Sequence, residues 1–254
     1  MPSRIPILFF LIFGLLFHGY GESKGVINPS STYSLDKTYL SPVKASQNED
    51  ITTALLHLPE YSIILKNIPK AKKRFLSKQQ IPEPGVMSNF FVRNILNFSK
   101  WDTVSARAVA VNASYTVWID TNVVGTLIDS TEICSILDSL HYVLLEHTSG
   151  YSVNPGAGII DILRNYFGNP PDIDGDGRID ILLLDIRDQF ETTGSYVAGF
   201  FDPNDLSENQ YSNQRDLLYI DLYPTIKYQN NVTVENAVAT ITHEMQHLIH
   251  ANYE

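Results

Sequence analysis

Cysteine is almost missing. The single residue, Cys134, excludes an internal disulfide framework. Its place in a helical pattern marks it as a small buried apolar residue. Basic residues are also scarce: 18 Lys and Arg against 28 Asp and Glu leave the 254-residue chain at −10. Nothing in that balance could neutralise a run of phosphates, so a general nucleic-acid binder is excluded. No internal repeat is visible, which argues against solenoids and propellers. No apolar run of spanning length follows the first twenty residues, so no stable membrane anchor is expected once those residues are removed. What remains is 44% hydrophobic and 18% charged, an ordinary globular mix that excludes disorder over the whole length.

The two ends differ from the middle. Arg4 is the only charge in the first twenty residues, and Ile5 to Phe17 is almost wholly apolar, with Gly19 and Gly21 as small exit residues. This describes a signal peptide over 1–21, too short to span a bilayer, and an exported chain, secreted or periplasmic. No cysteine follows the apolar run, so a lipid-anchored N-terminus is excluded. At the other end the chain stops at Asn252-Tyr253-Glu254, directly after its strongest helical pattern and without a terminating signal.

Charge divides the rest. Residues 22–87 carry nine basic and six acidic residues, a net +3, and close on the linker-like Pro82-Glu83-Pro84-Gly85. Residues 88–254 carry eight basic and 22 acidic residues, a net −14. The basic block reads either as an inhibitory pro-segment docked electrostatically or as a solvated N-terminal extension. The acidic body reads as α+β. Residues 104–111 and 115–120 form a hairpin, and a helix capped at Asp129, Ser130 or Thr131 runs to about Leu145. A short helix covers 159–166, buried strands cover 179–186 and 217–222, and a long helix covers 233–250. Asn231 or Thr233 can cap that last helix.

Its residues His243-Glu-Met-Gln-His247 match H-E-x-x-H. One helical turn separates the two imidazoles, so both project from one face and can hold one zinc ion. Glu244 beside them is placed to take a proton from a zinc-bound water and deliver it to a leaving amine. The metzincin continuation needs glycine at 250 and histidine at 253; His250 and Tyr253 stand there instead. His250 is a poor third ligand to the same ion, and Glu254 follows too closely, so a three-ligand site lacks its third ligand within the chain.

Four stretches together resemble one family. They are Ile241 to Tyr253 (ITHEMQHLIHANY), Tyr166 to Leu182 (YFGNPPDIDGDGRIDIL), Val197 to Pro203 (VAGFFDP) and Ser212 to Asp221 (SNQRDLLYID). In this order they resemble hyicolysin-type secreted bacterial metallopeptidases, zinc enzymes of the glutamate-zincin group. The resemblance covers roughly 88–254. It implies a zincin-like twisted mixed β-sheet, an H-E-x-x-H helix under the cleft, and protein or peptide substrates. It also implies zinc on His243 and His247 and the base role for Glu244. In that family the third ligand is a glutamate on a later helix, so 88–254 reads as the N-terminal part of a catalytic domain. The chain as it stands is then expected to bind zinc weakly and to catalyse little.

A second metal pattern lies in Asp172 to Asp180. Asp172, Asp174, Asp176 and Asp180 fall at positions 1, 3, 5 and 9 of a calcium loop, Gly177 at the tight turn, and Arg178 offers its backbone carbonyl. Carboxylates this close repel one another unless a cation joins them. Position 12 is Leu183 and a strand follows, so the loop is not a true EF-hand and its calcium is structural. Asp185 and Asp221, at strand ends, could orient a zinc ligand or simply cap the strands. The competing function is an inactive, calcium-stabilised exported binding protein that keeps a remnant motif helix.

Overall fold

The computed structural model describes residues 51–58, 61, 64, 80–150 and 152–253. The signal-peptide reading of 1–21 and all nine basic residues of the extension lie outside the described residues. The elements run α1 (Ile51–Leu56), β1 (Met87–Arg93), β2 (Trp101–Val111), β3 (Tyr115–Asp120), α2 (Ser130–His141) and α3 (Ile159–Phe167). They continue with β4 (Ile179–Leu184), α4 (Phe190–Thr193), β5 (Gly199–Phe201), β6 (Leu217–Asp221), β7 (Lys227–Tyr228), β8 (Asn231–Val232) and α5 (Glu235–Ala251). The fold is mixed α+β.

One six-stranded mixed sheet has the order β1-β2-β3-β4-β6-β5. The β1/β2 and β2/β3 pairs are antiparallel, β3/β4 and β4/β6 are parallel, and β5 closes the far edge antiparallel to β6. The central strands follow from composition. Every residue of β3, β4 and β6 is buried, as expected for strands covered on both faces. The expected hairpin is β2–β3, with a register shift between Ala108 and Ala110. The first strand starts at Met87, just after Gly85 donates its N–H to Ala108 O.

Helix α2 begins at a capping box: Asp129 accepts from Thr131 and Glu132 N–H, and Glu132 accepts from Asp129 N–H. It relaxes into a π-helical turn at Tyr142–Glu146. Ile133, Ile136 and Leu140 face the core, which turns Cys134 outward. The expectation of a buried Cys134 is therefore corrected: it sits about 100° around the helix from Ile133 and is exposed.

Helix α5 shows the opposite balance. Val234 stands at its N-cap with no side-chain cap bond, Asn231 is used in β8, and Thr233 donates its N–H to Ile226 O. Neither expected cap is used. A missing cap costs about 1 kcal/mol. Burying Ile241, Met245, Leu248 and Ile249 contributes about 1.5–3 kcal/mol each. Packing against β5, β6 and α3 therefore decides this helix. Gly199 makes that approach possible: a Cβ there would lie 2.5 Å from Tyr219 O and 2.7 Å from Thr240 Cγ2. Among the described residues, no helix is long and apolar enough to cross a membrane.

Candidate metal centre and its edge strand

The apolar face of α5 packs on the sheet, and His243 and His247 emerge half-buried beside it. Their Nε2 atoms stand 3.1 Å apart, with the rings at 77°. Two nitrogens each about 2.0–2.1 Å from one tetrahedral zinc would stand about 3.3 Å apart. The pair therefore fits two adjacent zinc ligands. Among the described residues, no third His, Cys, Asp or Glu gathers with them at ligand spacing. His250 is exposed on the next turn.

Glu244 is buried and turns toward β5. Asp221 N–H donates to Ala198 O at 2.9 Å, which sets the phase of the β5/β6 ladder. Alternate residues Gly199 and Phe201 therefore aim their backbone groups off the sheet edge. There Phe201 N–H donates to Glu244 Oε2 at 3.1 Å and to Thr52 Oγ1 at 2.9 Å. Thr52 Oγ1 in turn donates to Glu244 Oε2 at 2.5 Å. The motif glutamate is thus joined to the edge strand and to α1.

Beyond Phe201 the chain turns through Asp202. Its carboxylate accepts from Arg93 Nε at 2.7 Å, from Asn204 N–H at 2.9 Å and from Tyr61 OH at 3.0 Å. Arg93 also donates to Tyr61 OH and stacks over Trp101, 4.3 Å from the ring centre. Asp205, on the following turn, accepts from Tyr219 OH and from Asn213, which pins the turn to β6. Burial, and then the charge of Asp202, raises the Asp205 pKa.

The aspartate loop enters β4. Gly177 has φ +76°, the left-handed conformation its turn position requires. Asp172 accepts from Gly177 N–H at 2.7 Å, and Ile179 is fully buried. Asp172 and Asp174 gather with Asp216, their ligand oxygens all within 4.8 Å of one another. Asp216, beside β6, accepts from Asp172 and Ile173 N–H at 3.1 and 2.7 Å. Asp174 Oδ1 is buried with no hydrogen-bond partner. Burial, with the charges of Asp176 and Asp180, pushes Asp174 up to about 7. Burial also lifts Asp216 well above the usual carboxylate range.

The remaining loop positions face elsewhere. Asp176 pairs with the Arg178 guanidinium at 3.1 Å. Asp180 pairs with Arg215 at 3.1 Å and accepts from Trp118 Nε1 at 2.8 Å. Asp221 caps the end of β6, accepting from Ile186 N–H and from the Thr225 N–H and hydroxyl, while Asp185 is exposed. Asp216 was not singled out from sequence, because its partners lie about forty residues earlier in the chain. The signal that could have found it is an aspartate directly before a buried strand that neighbours the loop's own strand.

No protein-family model matches the chain. A stretch of 92 residues is 42% identical to neutral metalloprotease ShpI of Staphylococcus hyicus. Over that stretch the chain is homologous to a hyicolysin-type metalloprotease. The match covers 36% of this chain and 21% of ShpI, so the chain spans only about a fifth of its relative. The homology supports the family resemblance over those 92 residues.

Proposed function

We propose that the chain carries the metal-binding helix of an exported zinc-dependent endopeptidase acting on protein or peptide substrates. The observation that carries this reading is the His243–His247 pair at zinc-ligand spacing, with Glu244 between that pair and a sheet edge. The homology to a metalloprotease supports it. His243 and His247 would hold the metal. Zinc, when bound, supplies Lewis acidity that acidifies water and polarises a carbonyl. Glu244 takes the proton of the attacking water on its carboxylate and hands it to the departing amine. The off-sheet N–H and C=O groups of Gly199, two residues along the edge from the Phe201 amide that Glu244 accepts, would pair with an extended peptide beside that carboxylate.

Calcium belongs to the same proposal as a structural ion. Asp172, Asp174 and Asp216 would hold it, tying the loop before β4 to the start of β6. The unpartnered buried Asp174 Oδ1 supports this assignment. Asp176 and Asp180, placed in the loop by sequence, are held by Arg178 and Arg215, and no use of the Arg178 carbonyl is needed.

The test is a substitution that keeps the ligands. Expressed from its full reading frame with zinc, the protein should cleave casein. Glu244→Gln should abolish cleavage while zinc remains bound. Undiminished cleavage would refute the base assignment. A protein that neither cleaves nor binds zinc would instead be the inactive, calcium-stabilised binding protein.

A further inference from the structure

A cavity of about 200 Å³ opens where the chain enters β5. That is below the ~300–1,000 Å³ of pockets for drug-sized ligands and suits a single side chain. Its apolar walls are Ile51, Ile95, Leu96, Tyr196 and Val197, and its one charged lining residue is Asp188. A long methylene stem can lie along such walls while a charged head reaches the carboxylate.

Asp188 is fixed on the strand edge itself. Its Oδ2 accepts from Val197 N–H and its Oδ1 from Phe190 N–H, each at 2.9 Å. Ala198 O is bonded to β6, so Val197 continues the off-sheet phase of Gly199 and Phe201. Two carboxylates therefore stand along one edge, Glu244 at Phe201 and Asp188 at Val197. Over that length an extended chain spans about 13 Å. Gly199 lies between them and would pair with an extended peptide. A peptide so paired passes one residue by Glu244 and another, roughly four positions away, by the cavity.

The charge in the cavity is uncompensated. An ionised carboxylate offers about four acceptor sites, and the two backbone donors leave others open. Among the described residues, no lysine, arginine or histidine pairs with Asp188. Arg187, its neighbour in the chain, pairs with Asp102 instead. The surroundings are acidic as well: partial burial, and then the charges of Asp188, Asp120 and Glu191, raise the pKa of Asp185. An acidic side chain would be repelled here, and a basic one would satisfy both the walls and the carboxylate.

We propose that this cavity is a specificity pocket for a lysine or arginine side chain of the peptide substrate, with Asp188 as the residue that selects the charge. The proposal rests on the peptidase reading for the peptide and its path along β5, but its test reads binding and not hydrolysis.

The experiment uses the full chain and short, unfolded, fluorescein-labelled peptides of alanine, threonine and glycine, with anisotropy as the readout. The peptides differ only at a central residue: lysine, norleucine or glutamate. Norleucine keeps the stem of lysine and lacks its amine. The lysine peptide should bind about tenfold more tightly than the norleucine peptide, the effect of one hydrogen bond between charged groups. The glutamate peptide should bind least. Asp188→Asn should abolish the preference for lysine over norleucine. Leu96 is 58% exposed at the cavity wall, so changes there leave the core intact. Leu96→Lys should also abolish the preference, and Leu96→Glu should increase it. Equal binding of the lysine and norleucine peptides to the wild type overturns the proposal. So does a lysine preference that survives in folded Leu96→Lys and Asp188→Asn, because it would then come from the net charge of the whole chain. If Glu244→Gln leaves casein cleavage intact while these preferences appear, the base assignment falls and the pocket stands. If Glu244→Gln abolishes cleavage and no preference appears, the pocket falls and the peptidase reading stands.

Discussion

Asp174 is a carboxylate with one oxygen buried and unpartnered, held near Asp172 and Asp216. Its folded pKa of about 7 lies above its unfolded value of about 3.9. The sign follows directly. Without a cation, the stability this group contributes is fully present below about pH 3.9 and is lost as pH rises through about 7. A bound cation replaces the proton, so calcium should stabilise the fold more at about pH 8 than at about pH 5. Thermal melts at both pH values, with and without millimolar calcium, check this. Equal shifts at both would contradict it. Asp216→Asn should remove most of the calcium-dependent rise at the higher pH, whereas Asp176→Asn should retain most of it. Asp172 and Asp174 could be singled out from sequence because they lie two residues apart in one loop. Asp216 was not, because only the pairing of β4 with β6 brings it there.

At the scale of elements, α5 was readable over nearly its full length. Its apolar positions recur at helical spacing, and the histidines occupy the remaining face. Its start was misjudged because packing, not capping, holds it. Strand β5 was the harder element: three residues, Gly-Phe-Phe, offer no alternation to count. Yet β5 sets the geometry at Glu244, and Gly199 sets how closely α5 can approach it. Gly199→Ala would drive a methyl group to 2.5 Å from a backbone carbonyl that cannot yield. We expect a loss of about 1–3 kcal/mol in stability, measured by urea unfolding. A change within a few tenths of a kcal/mol would show that helix and strand can separate without cost. Zinc affinity should fall less than stability, because both histidines stay on one helix.

For the whole molecule, charge predicted two regions and the structure qualifies how they meet. The body at −14 contains the sheet, the motif helix and the acidic triad. The described part of the basic block joins it through Thr52, Leu55 and Tyr61, at the edge where the proposed chemistry would occur. Sequence alone separated these regions but could not show the contact, because a buried threonine and tyrosine carry no distinctive pattern. The sheet order was equally out of reach: local alternation identifies strands, not which neighbours they choose.

His243 and His247 are proposed to hold one zinc ion. Isothermal titration of the purified chain with zinc, in calcium-containing buffer, tests it most directly. One zinc per chain is expected in the wild type, and loss of that binding in His247→Ala with the fold intact by circular dichroism. Zinc binding of undiminished affinity and stoichiometry in folded His247→Ala would contradict it.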